Sequence, residues 1–370
     1  MDKKKWSDFR FNLEEAAGAV GDYGTLFPII IGVAVVSELN LGYILLFFSL
    51  WYIITGLYYK KPVPVEPMKA IGAIVIGGGL TQGQITASGI ILGLLFLVVG
   101  FGKGMKYIQK KVPKNVIRGV QLGLALILLK TSLGFISKDY LISGLCIVLI
   151  LAFFALRSTK EIPNISSLLV LLLGLILGVI QFGLPSISLL PFPSVIVPSL
   201  NDFVRGGWLL AIPQAPLTMT NAILATSLLM GDLFSWKVDP DKFSKTIGLM
   251  NLSSVPFGGF PMCHGSGGLA AQYRYGARTG GSNIISGLLL LPIALFFSTT
   301  QIINLIPYSV FGALIVFVGL EMGKHGLKTD SYLITGVMAV VALLTNITIA
   351  FILGLGMNYV LKHVRPSEKG

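Results

Sequence analysis

The chain has 370 residues, of which 54% are hydrophobic and 12% charged, with a formal net charge of +12. A soluble domain carries about 25% charged residues, so this composition excludes an ordinary soluble enzyme. The basic excess sits in short loops between apolar runs, with no basic helix or RNA-binding motif, which excludes a nucleic-acid partner and fits the positive-inside loops of a membrane protein.

A hydrocarbon core about 30 Å thick takes roughly 20 helical residues to cross. Taken in chain order, the apolar segments predict an all-α integral membrane fold of about fourteen spans. They fall near 16–36, 41–59, 64–79, 86–101, 117–135, 140–156, 165–182, 209–231, 243–258, 260–273, 283–298, 303–320, 331–345 and 347–361. Met1–Arg10 is charged and the first apolar run stays with the chain, so no cleavable signal is expected. That first span carries Gly21-Asp22-Tyr23-Gly24-Thr25, a polar and glycine-rich patch where Leu or Val would suffice. The third span is a poor helix: Pro62, Pro64 and Pro67 forbid a regular turn before Pro67, which suits the start of a short helix through Met68, Lys69 and Ala70. Segment 183–206, rich in Pro and Ser, reads as a long outer link. The eighth span carries Pro213-Gln214-Ala215-Pro216-Leu217-Thr218 and continues to Asn221. The tenth, Pro256-Phe-Gly-Gly-Phe-Pro261-Met262-Cys263-His264-Gly265-Ser266, is too glycine-rich to cross as one helix.

The chain resembles itself. A shift of 194 aligns 62–130 with 256–324 without a gap, with 15 identities in 69 positions. Pro62, Pro67 and Pro113 fall on Pro256, Pro261 and Pro307, and Lys130 falls on Lys324. Charge differs between the copies. Loop 102–118 holds Lys103, Lys106, Lys110, Lys111, Lys114 and Arg118, whereas 296–312 holds no Lys or Arg. Equivalent loops therefore belong on opposite sides of the membrane, which makes the repeat inverted and the chain transporter-like. Seven spans per half follow, with residues 1–190 forming one repeat and 191–370 the other. Both termini are then cytoplasmic, and no soluble regulatory domain is expected.

Broken helices at membrane depth occur where they line a cavity or are buried in protein. A helix start presents free N–H groups and about half a positive charge. Two such starts facing each other near the midplane make an anion site from backbone alone. Lys69 and His264 lie in the first turns. The bland alternatives are Lys69 paired with Glu66, His264 satisfied in the interior, Ser266 capping its own helix, and Asp22 and Glu321 at interfaces. Asp22, Glu66 and Glu321 are candidate proton carriers. Gly265 to Ala270 fits a dinucleotide fingerprint but lacks its strand and following acid, and no phosphate-binding loop is present. Cys146 and Cys263 suggest neither a disulfide nor a metal site. No cofactor is expected.

At these residues the sequence resembles a known family. Gly21–Pro28, Pro64–Ala70 and above all Phe257–Gly280 look like the molybdate transporters, a branch related to the sulfate permeases, with support from Pro216–Asn221 and Gly231–Phe234. The resemblance implies the seven-plus-seven fold of sulfate and uracil permeases, in which a core domain moves against a gate domain. It implies a site between spans three and ten, near Pro67–Ala70 and Met262–Ser266, completed by spans one and eight through Gly24, Thr25, Gln214 and Thr218. It implies molybdate or a close analogue such as sulfate as substrate in the plasma membrane, and a homodimer. Glu66 stands where many relatives are expected to have Gln, which alters the charge balance. A sulfate or carboxylate permease, a channel, and a membrane enzyme acting at His264 are the competing readings.

Overall fold

The computed structural model describes residues 9–77, 80–159, 165–297, 305–345 and 347–364. Its apolar runs form helices where breakers are absent, and polar caps set their ends. Leu41–Tyr59 (α3) starts on Asn40, whose side chain accepts from the Gly42 N–H, and stops at Lys60 in a left-handed conformation. Gln82–Phe101 (α5) starts on a reciprocal box between Thr81 and Gln84, which satisfies two of the N–H groups that a helix start leaves open. Lys114–Ile136 (α7) follows Pro113.

The first predicted span is two helices, Leu13–Val20 (α1) and Tyr23–Val36 (α2), meeting at Gly21 and Asp22. The third and tenth are half-length. Glu66–Pro67 (β1) leads into Lys69–Gly77 (α4), and Met262–Cys263 (β2) precedes Ser266–Arg274 (α12). Nine residues make a helix only about 14 Å long. Loop 102–118 contains a helix that the apolar pattern did not signal, Gly104–Lys111 (α6). Its start is capped from a distance: the Asp241 carboxylate accepts from the N–H groups of Met105 (2.9 Å) and Lys106 (3.3 Å).

The remaining elements are Tyr140–Thr159 (α8), Ser166–Phe182 (α9), Leu200–Phe234 (α10), Pro240–Ser254 (α11), Gly281–Phe296 (α13), Tyr308–Gly326 (α14), Tyr332–Leu344 (α15) and Ile347–Val364 (α16). Helix α10 is longer than its apolar core because a Ser199–Asp202 box starts it early. It is wound as π-helix at Gly207–Ala211 and Thr218–Ala225, which lets it pass Pro213 and Pro216 without ending. Helices α3, α5, α7 and α10 are long and apolar enough to cross a membrane, and shorter apolar helices accompany them. Outward side chains such as Val98, Leu133, Leu141 and Ile180 are exposed, as a lipid-facing surface requires.

Most of the heaviest packing falls into two groups, bridged by α12 against α14. Helices α3 and α13, α5 and α11, α5 and the start of α10, α1 and α13, and α2 and α4 form one. Helices α7 and α14, α7 and α15, α15 and α16, and α8 with α14 and α9 form the other. Helix α3 meets α13 very closely: a Cβ on Gly287 would strike the Ser49 carbonyl and Ile53. The shift of 194 that relates the two sequence segments sends α3 onto α11 and α5 onto α13, so it exchanges two of the tightest pairs. It sends α7 onto α14, its own packing partner.

Candidate functional site

Pro62, Pro64 and Pro67 remove three backbone donors and keep 62–67 extended. Side chains from other elements hold this stretch in place. Asn283 Nδ2 donates to the Val63 carbonyl and to Thr55 Oγ1 (3.0 Å), and a ring nitrogen of His264 meets the Pro64 carbonyl at 2.8 Å. Asn251 brackets the opposite strand. Its Nδ2 donates to the Met262 carbonyl at 2.7 Å, and its Oδ1 accepts from the Met262 N–H at 3.0 Å. These side chains serve as the missing ladder partners of two very short strands. The strands pair antiparallel, Glu66 opposite Cys263 and Pro67 opposite Met262, and the Met68 N–H donates to the Pro261 carbonyl at 2.9 Å. The shift of 194 turns the Pro67–Met262 pair into the Pro261–Met68 pair. Helices α4 and α12 start from this crossing.

Each start is answered by a side chain. Gln214 Oε1 accepts from the Ala70 N–H at 2.9 Å and from Ile71 at 3.4 Å, while its Nε2 donates to Thr218 Oγ1 at 2.9 Å. On α12, the Gly268 N–H donates to the Glu66 carboxylate, and Ser266 donates to Asn221 Oδ1 at 2.5 Å. Gln214 and Asn221 are two turns apart on α10, so one helix face serves both starts. Glu66 is also the ion-pair partner of Lys69. Asp22 accepts from Thr25 through Oδ1, and its Oδ2 has no hydrogen-bond partner among the described residues. A Cβ on Gly268 would land on both Glu66 Oε1 and Asp22 Oδ2, and one on Gly265 would land on the Glu66 carboxylate. Glycine at these two positions is what lets two fully buried carboxylates converge on one helix start.

Beside this junction, between the two packing groups, lies a cavity of about 650 Å³. Lys69 and Ala70 line it from α4, Asn221 from α10, and Lys130 and Thr131 from α7; the tip of the α15–α16 hairpin adds Thr345 and apolar side chains. Lys69 and Lys130 are the two charged side chains of the described lining, and no acid is among it.

Of the residues singled out in the sequence, Lys69 and Ala70 face the cavity, and Gln214 and Ser266 complete the helix starts. Pro67, Met68, Met262 and Cys263 form the buried crossing behind them. Thr218 steadies Gln214, and Thr25 steadies Asp22. Gly24 faces away: a Cβ there would meet Ile315 and the Phe311 carbonyl of α14. Glu321 belongs to α14, and its side chain lies outside the described residues. His264 is turned from the cavity into the protein. Its ring bridges Thr246 Oγ1 (2.7 Å) and the Pro64 carbonyl, packed against Tyr59 and Phe243. Replacing it with alanine removes two buried hydrogen bonds and a ring, an expected loss of about 2–4 kcal/mol. Thermal unfolding of His264→Ala should show that loss, while anion affinity of the folded fraction stays within about twofold; a tenfold weaker affinity would place His264 in the binding site.

Sequence reasoning passed over Lys130. The signal was available, since a cation deep in an apolar helix is expensive and therefore has a role. It also passed over a charged cluster joining three helices. Arg118 on α7 donates to both oxygens of Asp232 on α10, at 2.6 and 3.1 Å, and to Gln121 at 2.9 Å, while His325 on α14 lies 3.4 Å from the same carboxylate.

The fold is shared with solved structures. The transmembrane domain of BicA, a cyanobacterial bicarbonate transporter, superimposes with a TM-score of 0.60 at 18% identity, covering 92% of this chain and 96% of that one. SLC26A9 gives 0.66 at 13% identity over 96% of this chain and 66% of that one, and the murine Slc26a9 anion transporter in its inward-facing state gives 0.64. Crossed half-helices in a multi-pass helical fold stand here beside a cavity whose described charged side chains are both lysines. The family described as "Molybdate transporter of MFS superfamily" matches residues 14–128 and 206–322. Molybdate transporter 2 of Arabidopsis thaliana is 32% identical over 94% of this chain and 86% of its own length, and Molybdate transporter 1 of the same plant is 32% identical over 94% and 87%. Molybdate transporter 1 of Chlamydomonas reinhardtii is 24% identical over 95% and 92%. The chain belongs to the molybdate transporter family.

Proposed function

We propose that the protein is a secondary transporter that takes up molybdate across the plasma membrane by alternating access, with a proton carried on Glu66. The observation that carries this reading is the cavity whose charged side chains are both lysines, set against two half-helix starts. A tetrahedral dianion suits N–H groups at helix starts and an ammonium better than any neutral or cationic solute. The relatives named as molybdate transporters support molybdate over sulfate.

In the present arrangement Glu66 holds both the Lys69 ammonium and the Gly268 N–H. A proton on Glu66 releases both for the oxyanion, so proton and anion bind together and travel together. Asp22, whose free Oδ2 faces the same glycine, is the neighbouring proton acceptor. Access alternates as the group containing α7 and α14 rocks against the group containing α4 and α10. Exchange of the α3–α13 and α5–α11 pairs, and of the Pro67–Met262 and Pro261–Met68 contacts, by one shift supports a seven-plus-seven inverted repeat. In that arrangement the Arg118 end of α7 faces the cytoplasm, as both termini do.

Purified protein in liposomes should take up labelled molybdate saturably, with little suppression by excess sulfate and with stimulation by an acidic exterior. Uptake abolished by equimolar sulfate would instead make it a general sulfate-type permease. Absence of uptake of either anion by folded protein would end the substrate assignment. Glu66→Gln should retain uptake but lose the stimulation by the pH gradient; an unchanged gradient dependence would remove Glu66 as the proton carrier.

A further inference from the structure

Lys69 is the obvious cation of the site, yet its charge is already taken. Its ammonium is paired with Glu66, and its side chain is only 21% exposed. Lys130 is in the opposite condition. It is exposed, it lines the same cavity, and it has no hydrogen-bond or ion-pair partner among the described residues. The uncompensated positive charge of the cavity is therefore on α7, across the cavity from the half-helices.

We infer that Lys130 is the first docking station for the oxyanion, which it draws into the cavity and passes to the α4–α12 junction. This rests on the anion-uptake function proposed above. The placement is specific. Leu124, Ile127, Lys130 and Thr131 line the cavity from one face of α7 at helical spacing, with Lys130 and Thr131 at the end of that stripe nearer the helix end. Six residues separate Lys130 from Ile136, about 9 Å of helix. Helix α15 runs alongside α7 in the same direction, since a Cβ on Gly119 would meet Met338 and one on Gly123 would meet Ala342. It ends at Leu344, and the turn into α16 brings Thr345 and Ile347 to the cavity. The hairpin thus stops level with Ile127, several residues short of the end of α7, and Lys130 stands just past its tip, at the mouth. A lysine that merely snorkelled would run its stem along lipid instead of lining a cavity.

An ammonium within an apolar helix is costly even near its end, and no partner among the described residues offsets it here. Its consequence is electrostatic: a cation at the mouth of a low-dielectric cavity raises the local concentration of anions and their arrival rate by about 10- to 1,000-fold. Lys130 is thus a positioning residue for capture, with little share in the final affinity.

Lys130→Cys in the full chain, reconstituted in liposomes, tests this. The native thiols, Cys146 and Cys263, are both buried, so the new one is open to selective modification. At low ionic strength the KM for molybdate should rise about 5- to 20-fold with kcat within twofold, following the steering range above. Modification with 2-aminoethyl methanethiosulfonate, which restores an ammonium, should return KM to near the wild-type value; the 2-sulfonatoethyl reagent should raise it further. Lys130→Arg should behave as wild type. A KM unmoved in Lys130→Cys, or moved equally by both reagents, would overturn the assignment while leaving the transport function standing. If wild-type protein transports no molybdate, the function falls first. The station is then decided separately, by whether molybdate slows modification of the Lys130→Cys thiol.

Discussion

Lys69→Ala should abolish saturable molybdate uptake, lowering it at least about 100-fold, and should also destabilise the protein. Two effects combine. The site loses the ammonium that an oxyanion needs at the α4 start, and a charge-assisted contact is worth about 1.5–3 kcal/mol. Glu66, fully buried, loses its counter-charge beside a second buried carboxylate, Asp22. Breaking one partner of a buried pair costs about 3–5 kcal/mol, because the remaining charge stays out of water. The combination with Glu66→Gln separates the two. In Lys69→Ala/Glu66→Gln the orphaned charge is gone, so the thermal midpoint should recover most of its loss while uptake stays absent. Uptake that returns with the midpoint would mean that Lys69 serves only to neutralise Glu66 and takes no part in binding.

The second large effect is expected at the Arg118 cluster. Asp232 receives both guanidinium nitrogens of Arg118, and the cluster joins α7 and α14 to α10, that is, one packing group to the other. Gln121 adds a bond from α7 to the Ala225 carbonyl of α10 at 3.2 Å. Arg118 lies about 18 Å along α7 from Lys130, so on the alternating-access mechanism proposed above the cluster is what closes the end of the site away from the cavity mouth. In Asp232→Asn the buried Arg118 loses its charge partner, at a cost of about 3–5 kcal/mol borne by the closed arrangement alone. Such a bias shifts the closed-to-open ratio by about 150- to 4,000-fold. Uptake should fall at least tenfold, and a cysteine introduced at Leu124 should become reactive from the Arg118 side. Asp232→Glu should restore closure. Arg118→Gln with Asp232→Asn should regain thermal stability but not closure. An Asp232→Asn protein with normal uptake and an unreactive Leu124→Cys would show that the cluster does not close this end.

Much of the scaffold was legible in the residues. Leu41–Tyr59 is bounded by its own caps, and the half-length helices at Lys69 and Ser266 follow from prolines and glycines that act on the nearest turn. Composition set the membrane environment, and the Pro-Met matches marked the two places where helices restart. The full length of α10 was not legible: the eighth span was expected to start near 209, and the Ser199–Asp202 box that starts it at Leu200 lies in a stretch that read as outer link. Nor was α6, whose cap comes from Asp241 in a helix far along the chain. The site divides in the same way. Lys69, Gln214 and Ser266 were singled out because each sits at a broken or polar step of its own segment. His264 stood out in sequence beside a helix restart and Lys130 only as a repeat match, and it took the tertiary structure to send the first into the core and the second into the cavity. Steric rules reach about one helical turn, whereas a side chain's direction depends on how its helix is rotated against partners more than a hundred residues away. That rotation is set by the packing of α7 on α14 and α15, and it alone decides which lysine faces an arriving anion.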